Sequence, residues 1–329
     1  MDIETFALDA SVFEESKELS TGETYDLLII GGGPAAMSAA VYGARKTLNL
    51  GLVTKDFGGQ VGETSAIDNW LGFQSVNGRD LVNQFTEHVR AFGIPAKTGG
   101  AVTAVSREGE LFRVTTVDEG RYVAKTIIAA TGKRHRPLNV PGEREFLGRG
   151  VAYCATCDAP FFKGKTVVVA GGGNSAFTTA VDLLKVGAAV TLVNAVKGWQ
   201  ADEYLQERVR QSGAVRFLDN HEVSLIEGDR QATAVVVKNR LSGNAKKIDA
   251  QGIFIEIGLV PNSEAFRDVA DTTATGEINV DCSCRTSTAG FFGAGDVTTV
   301  PYKQIIIAAG EGAKAALSAY DYLLSRGFI

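Results

Sequence analysis

Two cysteines, Cys154 and Cys157, stand three positions apart in "YCATCDAPFF", and Asp158 follows the second directly. Thiols at C-x-x-C spacing can close a disulfide across one turn, and a helix N-terminus lowers a thiol pKa enough to populate thiolate near neutrality. The pattern reads as a redox couple. Asp158 can pass protons as a thiolate leaves, and the same position also suits a helix cap. The competing readings are reduced structural thiols or half of a zinc site. Zinc needs further partners, and the other sulfur and imidazole ligands are Cys282 and Cys284 in "VDCSCRTS" and the scattered His88, His135 and His221. No resident metal is expected from that set.

The elements that must position these groups show as an internal echo. "DLLIIGGGPAAMSAAVYGA", from Asp26, recurs as "TVVVAGGGNSAFTTAVDLL", from Thr166. Each copy is an apolar β-branched run, a glycine turn and an alanine-rich segment, the order of strand, tight turn and helix. Two copies imply two βαβ dinucleotide-binding units. In the first, "GGGPAA" fits G-x-G-x-x-G/A: Gly31 allows the turn, Gly33 lets the backbone approach a pyrophosphate, and small Ala36 permits close helix-strand packing. The acid that usually takes a ribose should stand near Thr54, in "LVTKD", and is absent there. In the second copy the next strand ends in "VTLVNAVKGWQ", Val190 to Gln200, with neither an acid nor a basic cluster. The runs "TIIAATG" at 126–132 and "GIFIEIG" at 252–258 read as strands leaving a sheet, while "NVPGE" at 139–143 and "GLVPNS" at 258–263 read as crossings between domains.

With 329 residues, 45% hydrophobic and 22% charged, the chain is long enough for two domains with full cores and has a soluble globular composition. No apolar run approaches the ~20 residues that cross a bilayer. The acidic start "MDIETFALDASVFEESKELS" lacks the regions of a signal peptide, so the cytoplasm is the expected location. A formal net charge of -5 gives no reason to expect nucleic acid or a membrane surface as a partner. Four cysteines are too few for a disulfide-stapled secreted scaffold of this length.

Taken in order, the first glycine turn, "GGQ" at Gly58–Gln60, "ATG" at Ala130–Gly132, C-x-x-C-D, the second glycine turn and "GFFGAGD" at Gly290–Asp296 resemble the low-molecular-weight thioredoxin reductase family. The likeness runs from about Tyr25 to the end. "TTVPYKQIIIAAGEGAKAALSAYDYL" is especially similar to the flavoprotein subunit of alkyl hydroperoxide reductase, a close cousin. The resemblance implies an α/β fold of two Rossmann-like domains, the second inserted in the first. Residues 1–141 and 261–329 would bind FAD, with 1–24 as an N-terminal extension, and 142–260 would be a nicotinamide-type domain carrying the C-x-x-C pair. It implies the FAD pyrophosphate on Gly31 and Gly33, beside Pro34 and Ala35. Gly59, Gln60 and Asn69 would lie near the isoalloxazine, and Thr131 and Gly132 belong to the same site. Gly295 and Asp296 would meet the ribityl or pyrophosphate region, with Lys303 and Gln304 at the helix end facing the flavin's pyrimidine side. By the same resemblance Cys157 exchanges electrons with flavin C4a, Cys154 attacks the disulfide of a thioredoxin-like partner, and Asp158 is the general acid. A homodimer is likewise implied. Cys282 and Cys284 read as structural, or as a second redox or intermolecular couple.

The second site departs from the family. NADPH-dependent members carry H-R-R-x-x-x-R, and here those positions are Asn194, Ala195, Val196 and Gln200. Losing two or three charge-assisted hydrogen bonds, each about 1.5–3 kcal/mol, weakens NADPH by several orders of magnitude. The NADH-using cousin has Glu where Asn194 stands, and an amide can still hydrogen-bond a diol. Phe177 and Thr178 replace a small apolar residue and Glu, and the ring is expected to fill space that a nicotinamide nucleotide would occupy. The sequence therefore reads as an FAD-dependent disulfide oxidoreductase of thioredoxin reductase type, with impaired NADPH use and an atypical electron donor such as ferredoxin. Lys133, Arg134, Arg136, Arg144 and Arg149 would dock that acidic donor or the thioredoxin, or form a solvated face. The alternatives are an NADH-linked reductase feeding a peroxiredoxin system and a flavin-bound redox sensor without turnover.

Overall fold

A computed structural model of the chain describes residues 18–64 and 67–329, except the side chains of Glu63, Thr156 and Cys157. Residues 1–17, most of the expected N-terminal extension, lie outside the described residues. The chain forms two compact units: residues up to Glu63 with Trp70–Lys133 and Pro261–Ile329, and Thr64–Asn69 with Arg134–Val260.

In the first unit β1 (Thr24–Ile30) runs into the first glycine turn and α1 (Pro34–Arg45), and β2 (Leu50–Val53) returns parallel to β1. After α2 (Gly78–Arg90), the short β3 (Ala96–Lys97) extends the parallel edge. β4 (Val102–Glu108), β5 (Leu111–Thr116) and β6 (Arg121–Ala129) form an antiparallel meander that sets β6 parallel to β1. β7 (Lys133–His135) then carries the chain out of this unit.

In the second unit β8 (Val151–Ala152) leads to the four-residue α3 (Ala155–Asp158). β9 (Thr166–Ala170), the second glycine turn and α4 (Asn174–Lys185) follow, then β10 (Ala189–Val193), α5 (Glu203–Gln211) and β11 (Val215–Leu218). β12 (His221–Gly228), β13 (Ala232–Asn239) and β14 (Ala245–Asp249) make a separate antiparallel sheet. β15 (Gly252–Ile255) returns between β9 and β8, giving the parallel order β11-β10-β9-β15-β8. β16 (Leu259–Pro261) pairs with β7. Back in the first unit, β17 (Phe291–Gly293) pairs with β6, and α6 (Ile305–Ser325) covers the sheet of order β3-β2-β1-β6-β5-β4.

The apolar runs form strands because both faces of each parallel sheet are covered, and alternate residues serve opposite faces. Leu27 and Ile29 pack with Ala36, Ala40, Ala315 and Ala319 of α1 and α6, whereas Leu28 and Ile30 pack with Phe112, Phe266 and Phe291. The second unit repeats this scheme: Val167 and Val169 meet Ala176, Phe177 and Leu183, and Val168 and Ala170 meet Val223 and Val235. α6 approaches α1 at Gly312, where an added Cβ would lie 1.9 Å from the Ala35 carbonyl oxygen.

The second unit begins at Arg134 and not near 142. Leu138 and Val140 pack on its core, and the amides of Leu138 and Asn139 donate to the Glu143 carboxylate at 2.9 and 2.7 Å.

Candidate active site

The two glycine turns share one construction. Gly31 has φ of 133° and Gly171 of 147°, in the region that L side chains avoid. At each, an added Cβ would fall far inside contact distance of a strand-end carbonyl, Ala130 O at the first turn and Glu256 O at the second. The third glycine of each turn, Gly33 or Gly173, faces open space and is the N-cap of the following helix, with no side chain capping its amides. Open backbone amides at a helix N-terminus are what a pyrophosphate requires, so both turns fit a dinucleotide.

Around the first turn the structure assembles most of the expected cofactor residues within one unit. Pro34 is N1 of α1, and Ala35 is buried, its carbonyl against Gly312. Gly295 has φ of 73°, and a Cβ added there would lie 3.0 Å from the Ala35 methyl and 3.4 Å from the Ala308 methyl, so the first turns of α1 and α6 flank Gly295 and Asp296. The Gly58 amide donates to Gly32 O at 2.8 Å, which places Gly59 and Gln60 beside the turn. Thr131 Oγ1 donates to Asn262 O at 2.6 Å, and Asn262 N donates to Gly132 O at 3.0 Å. Gln304 is the N-cap position of α6. Asn69 instead groups with the second unit.

Several polar groups here are held by their neighbours. Gln60 donates through Nε2 to Lys133 O. Lys133 pairs with Glu277 at 2.5 Å, and Lys303 donates to Thr298 O at 2.6 Å and to Val300 O while lying 3.7 Å from Glu277. Lys303 is thus a pin for its own loop, and Lys133 is committed to an ion pair rather than a basic docking face. Burial pushes the Asp296 pKa up against the pull of Lys303 and Lys133, and burial pushes Lys303 down. Glu277 has no motif around it and was not legible as part of this network.

In the second unit Cys154 is in a disulfide, while Cys282 and Cys284 are free thiols. The Cys157 side chain lies outside the described residues. α3 is too short to carry much of a macrodipole, so a helix end contributes little at Cys154. Asp158 ends α3 at the N-cap position of the 3-10 turn Ala159–Phe162, and its side chain makes no capping hydrogen bond. Burial instead raises its pKa to about 6, the range in which a carboxyl exchanges protons near neutrality. Cys284 is wholly buried and bonded to Glu311 Oε2 at 3.2 Å; burial and that carboxylate push its pKa up to about 12, which makes it an inert thiol.

The loop after β10 closes on the second glycine turn. Gln200 N and Ala201 N both donate to Gly172 O, at 2.8 and 3.0 Å. Asn194 is buried against Gly172, and its Nδ2 donates to Gly198 O at 2.6 Å and to Gln200 Oε1 at 3.1 Å. A carbonyl partner fixes the amide orientation, so the other polar atom of Asn194, Oδ1, is an acceptor. Phe177 does not fill nucleotide space: it is fully buried in the core, edge-on to Trp199 with centroids 5.5 Å apart. The helical period turns it toward the sheet, while Thr178 is exposed.

One half-buried acid lies outside every motif. Glu256 stands just beyond β15, its carboxylate accepting from Thr179 Oγ1 at 2.8 Å, and burial raises its pKa to about 7. Its sequence signal is a lone acid inside the apolar run "GIFIEIG".

Residues 25–312 match the family described as pyridine nucleotide-disulphide oxidoreductase. An alkyl hydroperoxide reductase subunit of Pseudomonas aeruginosa is 42% identical over 314 residues, 94% of this chain and 60% of that protein. A Bacillus subtilis NADH dehydrogenase is 40% identical over 310 residues, 94% of this chain and 61% of its own length. The chain thus spans less than two thirds of the curated relatives it matches. The crystal structure of thioredoxin reductase from Streptococcus pyogenes superposes with a TM-score of 0.85 at 36% identity, covering 93% of this chain and 100% of that one. With two open dinucleotide turns and a family match across both units, the chain belongs to the pyridine nucleotide-disulphide oxidoreductase family, as an FAD-binding member with the fold of thioredoxin reductase.

Proposed function

We propose that the protein is an FAD-dependent disulfide reductase that takes electrons from NADH and passes them through Cys154 and Cys157 to a thioredoxin-fold protein, serving a thioredoxin or peroxiredoxin system. The observation that carries this reading is the disulfide at Cys154 with Asp158 half-buried beside it, its carboxyl uncapped and shifted toward neutrality. FAD, held by the Gly31–Ala35 turn, Gly59, Gln60, Thr131, Gly132, Gly295 and Asp296, supplies two-electron exchange between a nicotinamide coenzyme and the disulfide.

In the reduced protein Cys154 attacks the partner's disulfide. A bond forms between Cys154 Sγ and one partner sulfur, and the partner's S–S bond breaks. Asp158 gives its proton to the departing thiolate. Cys157 as thiolate then attacks Cys154 Sγ, restoring the pair and breaking the mixed disulfide; the partner's second sulfur leaves as a thiolate and takes its proton from water.

The choice of NADH rests on Asn194. The arginine positions hold Ala195, Val196 and Gln200, so a 2'-phosphate finds no paired donors there. Asn194 Oδ1 offers an acceptor to ribose hydroxyls, the role an acid plays in NAD sites. With Phe177 in the core, the steric argument against a nicotinamide nucleotide falls away. The likeness to a protein named NADH dehydrogenase is in keeping with this donor.

A ferredoxin donor is the second reading, favoured by the exposed Arg134, Arg136, Arg144 and Arg149. An anaerobic titration of the flavin absorbance with NADH, NADPH and reduced ferredoxin separates them. Bleaching by micromolar NADH is expected; prompt bleaching by NADPH would remove the donor assignment. Cys157→Ser should keep FAD and lose disulfide turnover, and retained turnover would end the dithiol mechanism.

A further inference from the structure

Glu256 is a half-buried acid that the reaction above does not use. Its amide donates to Ala170 O at 2.7 Å and its carbonyl abuts Gly171, so it stands at the carboxyl ends of β9 and β15. β9 is flanked by β10 on one side and β15 on the other, and the crevice where strand order reverses is where open α/β sheets place their chemistry. On its far side β15 pairs with β8 in the register Ile253 to Val151 and Phe254 to Ala152. Two residues beyond that last pair stand Glu256 and Cys154. Side chains alternate along a strand, so Glu256 follows Phe254 onto the face that also holds Ala152, Ala155, Ala159, Ala176 and Ala180. That face is roofed by α4, whose Thr179 hydroxyl donates to the Glu256 carboxylate.

The surroundings leave few other proton partners. β8, β9 and the glycine turn carry no titratable side chain. α4 has Asp182 and Lys185, which pair with each other at 2.8 Å at its far end. Tyr153 gives its hydroxyl to Glu143 at 2.5 Å. α3 and the residue before it bring Asp158 and Cys154.

We propose that Glu256 is a second proton-holding carboxyl for the Cys154–Cys157 couple, working beside Asp158. The inference rests on that pair being the redox centre. Reducing the couple breaks its S–S bond and adds two electrons and two protons, each proton resting on a sulfur or on a carboxyl beside it. NADH supplies both electrons and, with its hydride, one proton equivalent; the second proton is drawn from water. Two carboxyls at the pair allow both protons to be held locally until the partner's sulfurs take them. Burial, which holds Glu256 protonated up to about pH 7, suits it to that task.

The test reads thiol ionisation directly. The full chain, reduced with a phosphine, is alkylated with iodoacetamide from about pH 5 to about pH 9, and the modification of Cys154 is followed by mass; coupled groups give more than one step in such a profile. The wild type should show a step near 7 from Glu256, besides one near 6 from Asp158 and the thiol's own. Glu256→Gln should remove the step near 7 while keeping FAD, and Thr179→Val, which takes away the hydrogen bond favouring the carboxylate, should move it to higher pH. A wild-type profile that lacks the Glu256 step, or variant profiles that superimpose on the wild type, overturns the proposal. Alkylation needs no turnover, so a protein inactive with every donor would count against the proposed function and leave this measurement decisive for Glu256.

Discussion

Gly312→Ala probes how the contact between two helices sets the cofactor site. The added methyl would start 1.9 Å from the Ala35 oxygen, 2.7 Å from its carbonyl carbon and 2.9 Å from its Cα, all backbone atoms that no rotamer can move aside. A carbon–oxygen contact relaxes at about 3.3 Å, so the first turn of α1 must withdraw by roughly 1.4 Å. Overpacking of this kind costs about 1–3 kcal/mol. The same withdrawal carries the amides after Gly33 away from the pyrophosphate, and each 1.4 kcal/mol lost there weakens FAD about tenfold. Gly310→Ala is the matched control: it lies in the same helix with no heavy atom within 4 Å of an added Cβ. There the change should stabilise by up to about 1 kcal/mol through helix propensity. Urea unfolding followed by circular dichroism, together with the flavin-to-protein absorbance ratio after dialysis, reads both effects. If Gly312→Ala keeps full FAD and wild-type stability, or if the two variants shift alike, the account of the α1–α6 contact is wrong.

Three further outcomes are expected. Asp158→Asn should slow partner reduction by roughly 10²-fold and abolish the fall in rate that the wild type shows as pH rises through about 6, measured by stopped flow. Glu256 has a pKa of about 7 when folded against 4.5 for an ordinary glutamate, so its contribution to stability is full below 4.5, declines above it and is lost past 7. At about 1.4 kcal/mol per pKa unit the difference is on the order of 3 kcal/mol, so Glu256→Gln should gain on the wild type by that amount between pH 4.5 and 8 in denaturant melts, with a pH-independent difference refuting it. Restoring arginine at Ala195, Val196 and Gln200 together should lower the KM for NADPH by roughly 10²-fold or more, two charged hydrogen bonds being worth about 3 kcal/mol or more, with little effect on kcat.

The frame of the molecule was legible because it depends on patterns that local physics enforces. The apolar runs ending at Ile30 and Ala170 can only be strands buried on both faces, and the glycines at 31 and 171 have dihedrals that other residues resist. What pointed inward was harder to read. Phe177 lies close to a nucleotide turn in sequence, yet the helix rotates it into the core against Trp199. Lys133 looked like part of a basic stretch, but a residue more than a hundred positions away, Glu277, holds it. Asp158 fitted a cap by position, and only its geometry shows that the carboxyl caps nothing. Glu256 could have been found by extending the internal echo, since it occupies the strand-end place that Ala130 has in the first copy.

That shared strand-end contact has an evolutionary consequence. Each glycine turn is braced by a main-chain carbonyl, an atom that every amino acid supplies, so the brace survives whatever side chain drifts into the position. Coenzyme choice, by contrast, is written in a few side chains of the loop after β10. A lineage can therefore exchange one electron source for another without rebuilding the turn that seats it, and two copies of one frame in a single chain are free to adapt to different nucleotides.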